Sequence, residues 1–323
     1  MPELLPEAEP FAPEQAALLL ERARAAPSIH NTQPWRFAVR ADRVEVRADP
    51  GRALPAVDPD GRQRLISCGA AVFNLRLTIA HLGWEPDTTL CPDPADPDYV
   101  ATVARGARRA ASGEERTLYT VIRQRRTNRD AYRPQPVPDP VQHRLMLAAE
   151  RESATLCPVR PAVQRAAVAS LVVRGIEQHA ASPAIRAEFG HWLSHEFEPV
   201  ASTRFESWLQ APYPLPALTG RDRLAPGEPE MIHQLLAGST LFVLCTDRDD
   251  AVHRLRAGQA LQRVLLTATA AGVAVSFLNQ PIEVAQLRGR LAAVLGTPGL
   301  PQMLIRAGYP RTTALPTGRR PLA

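Results

Sequence analysis

Two long helices, each apolar on more than one side, constrain this chain more than any other feature. Residues 62–82 place Cys68, Ala71, Val72, Leu75, Ile79 and Leu82 on one face and Ala70, Phe73, Leu77 and Ala80 on another. A helix with two apolar faces must be covered from two sides, so it belongs at the centre of a domain. Residues 257–271 read as a second such helix. Cys68-Gly69-Ala70-Ala71 lines up with Ala257-Gly258-Gln259-Ala260 at an offset of 189 residues, and the same offset pairs Gly83 with Gly272, where each helix closes. A strand pattern comes after each helix. Two copies at so long a period imply one duplicated unit rather than a solenoid. A duplicated unit suggests one chain copying a two-fold dimer, with ligand sites between its halves.

The other segments alternate between helix and strand. Helical patterns cover residues 13–25, 114–125, 141–150, 162–178 and 231–237, and strand patterns cover 36–40, 43–48, 99–105, 155–159, 273–278 and 302–308. Residues 240–246 (TLFVLCT) are a continuous apolar run, as expected of a strand buried on both faces. At 323 residues and 45% hydrophobic, the chain can bury a large core.

Composition excludes several classes. No apolar run approaches the ~20 residues that span a bilayer. The acidic, proline-rich start lacks the basic and apolar regions of a leader, so a cytoplasmic protein is expected. The four cysteines are scattered without a CxxC pair, which argues against a zinc site or a disulfide framework. His191 and His195 have helical spacing but no zincin glutamate between them, and no metal is expected. All 38 basic residues are arginine, giving a net charge of +5. Anion binding must therefore use planar guanidinium groups. Aromatics are only 5% and no nucleic-acid-binding motif occurs, so no nucleic-acid partner is expected.

Two stretches are too polar for a core and too constrained for a linker. Pro27-Ser28-Ile29-His30-Asn31-Thr32-Gln33-Pro34-Trp35 joins a helix to a strand. Arg125-Arg126-Thr127-Asn128-Arg129 puts forked donors around a short hydroxyl, which suits a phosphate. Arg319 and Arg320 near the C-terminus offer a second basic pair. Residues 191–229 hold Trp192, Phe197, Phe205, Trp208 and Tyr213 in a long stretch of poor periodicity, as a lid would. No GxGxxG, P-loop, HExxH or GxSxG motif occurs, so Ser28 is not an evident nucleophile.

These residues resemble a known family. Pro27 to Trp35 is similar to the P-S-x-x-N-x-Q-P-W signature of nitroreductase-type flavoproteins, and Arg125 to Arg129 is similar to the R-R-S-x-R signature that opens their fold. Asp58-Pro59-Asp60-Gly61-Arg62, Cys68 to Ala71 and Phe277 to Pro281 resemble the Acg-like branch. The resemblance implies an α+β fold duplicated in one chain: two sheets packed with long central helices as a pseudo-dimer. The first half is expected over 1–113 with the P-S-x-x-N motif, and the second over 114–323 with the arginine motif and the lid. Ordinary members bind FMN between two subunits, one motif from each. Here one FMN site is expected between the halves, and the mirror site should be dead because Arg151 to Pro158 replaces the second P-S-x-x-N.

By the same resemblance, Arg125, Arg126, Thr127 and Arg129 face the phosphate and ribityl groups, with Arg319 and Arg320 near the phosphate. Pro27, Ser28, Ile29, Asn31 and Gln33 belong to the segment that covers the flavin from the other half. Leu278, Asn279 and Gln280 lie at the strand end that approaches flavin N5. Met231 and Gln234 stand where relatives carry an asparagine and a lysine by the pyrimidine ring. The implied activity is ping-pong hydride transfer from NAD(P)H through FMN to a nitroaromatic, quinone or other conjugated acceptor, with no catalytic side chain. Small-molecule partners and a monomer acting as a pseudo-dimer are expected. A lid that never opens would give the alternative, an FMN-sequestering protein without reductase activity.

Overall fold

The computed structural model describes residues 10–193, 214–296, 299–314 and 316–321. In chain order they form α1 (Pro13–Arg24), β1 (Trp35–Val39), β2 (Arg43–Ala48), α2 (Arg62–His81), β3 (Trp84–Leu90), β4 (Tyr99–Arg108), α3 (Gly113–Val121) and α4 (Asp139–Glu150). There follow β5 (Thr155–Pro158), α5 (Ala162–Ala181), α6 (Pro183–Leu193), α7 (Glu228–Ala237), β6 (Thr240–Thr246), α8 (Ala251–Ala270) and β7 (Ala274–Phe277). After a one-turn helix (Gln280–Glu283) come α9 (Ala285–Leu295) and β8 (Leu300–Gly308).

The strands make two four-stranded sheets, in the orders β1-β2-β4-β3 and β5-β6-β8-β7, with every pair antiparallel. The two orders are the same, and in each sheet a long helix connects the second strand to the third. The repeat seen in the sequence thus extends from one helix to a whole sheet-and-helix unit.

The helices α2 and α8 pack on each other through the two aligned glycines. A Cβ on Gly69 would overlap the Leu255 carbonyl oxygen and sit 3.0 Å from Gly258 Cα. A Cβ on Gly258 would overlap the Ile66 carbonyl oxygen and sit 2.8 Å from Gly69 Cα. Both glycines are inside helices, so they serve backbone approach rather than an unusual turn. Buried Gln262 Nε2 donates to Asn74 Oδ1 across the same contact at 2.8 Å.

Most of the expected pattern of α2 holds, but Ala70, expected on the second face, joins the cluster on the first sheet. Cys68, Ala71, Val72, Leu75 and Ile79 pack on the first sheet with Val44, Val46, Val100 and Val103. Phe73 and Leu77 meet Leu118, Ile122 and Leu266, so α3 spans both central helices. On the other side, α8 packs Ala260, Leu261, Val264 and Leu265 against one face of the second sheet, at Phe242, Leu244, Met303 and Ile305. The opposite face of that sheet is covered by α5, α7 and α9. This explains why β6 and β8 are buried along nearly their whole length, the pattern of strands covered on both faces.

Several boundaries differ from expectation for local reasons. The strand β3 has the sequence WEPDTTL and pairs on one side only. An edge strand tolerates Pro86 and polar residues, so it carries little period-two signal. The helices α6 and α9 were not expected. Helix α8 starts at Ala251 because Asp250 caps it, accepting from His253 N at 3.0 Å. Helix α3 stops at Val121, which leaves Arg125 on the turn beyond it. No helix among the described residues is long and apolar enough to cross a membrane. Residues 194–213, with His195, Phe197, Phe205, Trp208 and Tyr213, lie outside the described residues.

Candidate functional site

The segment after α1 holds a costly backbone shape. His30, Asn31 and Gln33 have φ of 43°, 55° and 52°, the left-handed region that residues with a Cβ enter only when surroundings fix them. Here the surroundings do so. Ile29 N donates to Ser67 Oγ at 3.1 Å, and Gln33 N to Ser28 Oγ at 2.9 Å; Arg52 donates to the Gln33 carbonyl. The C-terminal segment closes the other side. Asn31 Nδ2 donates to the Gly318 carbonyl at 3.2 Å, Arg319 Nη1 to Asn31 Oδ1 at 3.1 Å, and Arg320 N to Gln33 Oε1 at 3.1 Å. Arg319 also donates to the carbonyls of Arg24, Ala25 and Ala26 at 2.7, 3.1 and 3.3 Å. These lie at the C-terminal end of α1, where carbonyls lack helical partners and favour a cation.

The arginine segment is clipped to the edge of the second sheet. Thr127 forms a parallel bridge with Val275, and Asn128 N donates to the Val275 carbonyl at 3.0 Å. Its backbone is held from below by Arg306 on β8, which is wholly buried. Arg306 Nη2 donates to the Asp130 carbonyl at 2.7 Å and Nε to Ser276 Oγ at 3.0 Å, while its guanidinium stacks 4.0 Å over the Tyr132 ring. Asn128 Nδ2 donates to the Thr312 carbonyl at 2.9 Å. One buried arginine thus fixes the backbone of the loop.

Both segments meet at one cavity. Pro27, Ser28, Ile29 and Asn31 line it from the segment after α1, and Arg125, Thr127, Arg129, Asn279, Gln280 and Arg319 from later segments. Arg125 is 5% exposed, and its Nε and Nη1 have no hydrogen-bond partner among the described residues. Burial, with repulsion from Arg319, Arg126 and Arg129, pushes its pKa down to about 9. Gln280 Oε1 is likewise buried without a partner among them. Buried polar atoms are normally satisfied. A ligand with an anionic group and a hydrogen-bond donor would satisfy both.

The other expected residues stand apart from the cavity lining. Met231 and Gln234 are exposed on α7, because that helix turns Ile232 and Leu236 inward against α5. The structure does not bring them to the site. Arg126 folds back to donate to the carbonyls of Arg123 and Arg125, at 2.7 and 2.9 Å. Leu278 is fully buried, its N–H bonded to the Leu304 carbonyl at 3.0 Å. Gln33 and Arg320 sit behind the first segment, and Arg320 also lies 5.5 Å from the Trp192 ring.

Sequence reasoning missed the cavity's acid. Glu283 lines it with His179 and Gln63. Glu283 Oε1 accepts from Gln63 Nε2 at 2.7 Å, and Oε2 lies 3.5 Å from His179 Nε2. Burial pushes the Glu283 carboxyl up to about 7 and the His179 imidazole down to about 4. The Asn279 amide ties this group to the sheet: Nδ2 donates to Gln63 Oε1 at 3.2 Å, and Oδ1 accepts from Leu304 N at 3.0 Å. No motif marks these residues, which come from α2, α5 and the turn after β7. Apolar side chains complete the lining, among them Ile176, Phe189 and Leu215 to Leu218. The His30 ring meets Phe189 edge-on at 4.8 Å.

Comparison with known proteins finds relatives over nearly the whole chain. The Nitroreductase family model matches residues 122–309. The chain is 34% identical to the Mycobacterium tuberculosis protein named "Putative NAD(P)H nitroreductase Rv3131" over 319 residues, covering 96% of this chain and 90% of that one. It is 29% identical to the same organism's "Putative NAD(P)H nitroreductase acg" over 311 residues, covering 94% and 92%. Among solved structures, a "putative nitroreductase" from Anabaena variabilis superimposes with a TM-score of 0.55 at 12% identity, covering 92% of this chain and 88% of that one. The chain belongs to the Nitroreductase family.

Proposed function

We propose that this chain is an FMN-dependent NAD(P)H oxidoreductase that holds one flavin per chain between its halves. Its family makes it an oxidoreductase of nitroreductase type. The observation that carries the finer reading is Arg125, a buried cation with two unsatisfied donors at a cavity built from both motif segments. A phosphate there would convert an unpaired buried charge into a charge-assisted contact. Thr127 and Arg129 stand beside it, and Gln280 Oε1 offers an acceptor to a ring N–H. The residues present fit FMN, though Met231 and Gln234 take no part in the fit.

When bound, the flavin would supply two-electron exchange between a nicotinamide and an acceptor. The protein's own work is to bind and orient. The Arg125 to Arg129 loop, fixed by Arg306, would anchor the phosphate. The strained Pro27 to Asn31 segment, fixed by Ser67 and Arg319, would cover the ring. Apolar Ile176, Phe189 and Leu215 to Leu218 would exclude water and accept a flat, conjugated acceptor such as a nitroaromatic or quinone. We divide the halves at residues 113 and 114; most of the lid proposed over 191–229, residues 194–213, lies outside the described residues. The same apolar wall favours the second reading, in which a closed lid leaves FMN bound but unreactive.

One experiment separates them. The purified chain is loaded with FMN, freed of excess by gel filtration and mixed anaerobically with NADH or NADPH. Rapid bleaching followed by recovery on adding a quinone supports the oxidoreductase. Retained flavin that never bleaches supports sequestration, and a chain that retains no flavin refutes both.

A further inference from the structure

The cavity contains two electrostatic neighbourhoods. Arg125 is repelled by Arg319, Arg126 and Arg129. The charged groups that act on Glu283 are a different set, Arg62 and Asp58. The partners that bond or face its carboxyl are uncharged or weakly basic: Gln63 at 2.7 Å and His179 at 3.5 Å. We propose that Glu283, which lines the cavity, is the proton donor for acceptor reduction and is oriented by Gln63 and His179. This rests on the oxidoreductase reading above.

The geometry supports an acid rather than a structural carboxylate. Glu283 ends the one-turn helix that begins at Gln280, so it is three residues from a polar atom left unsatisfied in the same cavity. Gly175 of α5 lets this turn approach closely, since a Cβ there would lie 2.7 Å from the Gln280 carbonyl carbon. The elements around the turn bring few charges to it. From α5 comes His179, which burial keeps neutral. From the start of α2 comes Arg62, whose Nη1 donates to the Gln302 carbonyl at 2.6 Å, and from the preceding loop comes Asp58, which accepts from Gln63 N and Arg64 N at 3.0 and 2.9 Å. Arg288 of α9 turns to Asp249 at 2.6 Å instead. Among the described residues no guanidinium bonds the Glu283 carboxyl, and burial without one favours the neutral acid. A carboxyl that titrates near 7 is suited to giving up a proton at neutral pH.

The step balances simply. Reduction of a quinone-type acceptor adds a hydride at one end of the conjugated system and needs a proton on the carbonyl oxygen at the other. The Glu283 O–H bond breaks as the acceptor O–H bond forms. The resulting carboxylate takes its proton back from water before the next turnover, so one solvent proton is used per two-electron reduction. Nothing is oxidised or reduced at Glu283 itself.

Glu283→Gln tests this in FMN-loaded protein by stopped flow, with the two half-reactions measured separately. Flavin retention and bleaching by NADPH should match the unsubstituted protein. Reoxidation by a quinone should slow by roughly 10²–10⁴-fold, the usual contribution of a general acid, and lose its fall with rising pH near 7. Infrared difference spectra on titrating the apo-protein from pH 5 to 9 should show a protonated-carboxyl stretch disappearing near pH 7, absent in Glu283→Gln. That readout is independent of flavin, so it survives failure of the oxidoreductase reading. Glu283→Asp, which keeps the acid, should retain a pH-dependent reoxidation, and it stands in if Glu283→Gln does not fold. Unchanged reoxidation with an unchanged pH profile in Glu283→Gln overturns the proposal, and so does a carboxyl stretch that already disappears below pH 5.

Discussion

Replacing Arg125 by methionine should separate folding from ligand binding in one side chain. Without ligand, Arg125 is a buried cation with two unsatisfied donors and three arginines acting on it. Burial and the neighbouring arginines push its folded pKa down from the usual guanidinium range to about 9. A cation whose pKa falls on folding opposes folding while it is charged, and the opposition fades as pH rises through about 9. Replacing buried charges with apolar side chains of similar size ranges from neutral to about 4 kcal/mol stabilising. Apo Arg125→Met should therefore unfold in urea at the same or higher denaturant concentration than the unsubstituted chain. Ligand binding should move the other way. Loss of one charge-assisted contact costs roughly 1.5–3 kcal/mol, or about 10- to 150-fold in Kd. FMN at one hundred times its Kd stabilises the unsubstituted chain by about 2.7 kcal/mol, and about half to nine-tenths of that shift should vanish in the variant. Paired urea titrations with and without FMN measure both effects. A less stable apo variant together with unchanged FMN affinity would refute the reasoning, because it would make Arg125 a structural residue.

Gly69→Ala and Gly258→Ala should each cost at least 1–3 kcal/mol, about the penalty for overpacking, since each Cβ would overlap a backbone carbonyl of the facing helix. Gly289→Ala on α9, where an added Cβ meets nothing within 4 Å, should gain roughly 0.5–1 kcal/mol of helix propensity; urea midpoints with constant slope compare the three. A second test concerns pH. Glu115 caps α3 through Ser112 and bonds Arg109, which lowers its carboxyl to about 2. Its contribution should be fully present above its unfolded value of about 4.5 and be lost as pH falls toward about 2. Glu115→Gln should flatten the unfolding curve in that window and nowhere else.

The parts of the fold that were legible in the sequence are those with a repeating physical constraint. Burial on two sides dictated both faces of α2, down to the division between Val72 and Phe73. Continuous apolarity marked β6. The repeat at Gly69 and Gly258 predicted two related units, and the structure adds that these glycines touch one another. Elements that answer to weaker constraints escaped notice. The edge strand β3 needs only one partner and carries Pro86. Helix α9 exposes Arg290 and Gly289 and buries only Leu287, Leu291 and Leu295.

The site was legible where residues are locally concentrated. The Pro27 to Asn31 and Arg125 to Arg129 segments could be read directly, and the structure brings them to one cavity. Placing Met231 and Gln234 relied on resemblance rather than on the local helix pattern, whose apolar positions 232 and 236 turn them to solvent. Arg319 was read as a phosphate donor. The structure shows its guanidinium reaching Asn31 and the carbonyls that end α1, a contact between chain ends that no local pattern encodes. Glu283, His179 and Gln63 converge from positions more than one hundred residues apart in sequence, and only folding puts them together.

We propose a single flavin site made jointly by the two halves. Titrating the purified apo-chain with FMN, followed by quenching of flavin fluorescence and by chain mass under native conditions, tests this directly. One tightly held FMN per 323-residue chain is expected, lost in Arg125→Met. Two equivalent flavins per chain, or one flavin that appears only in a dimer of chains, would contradict it.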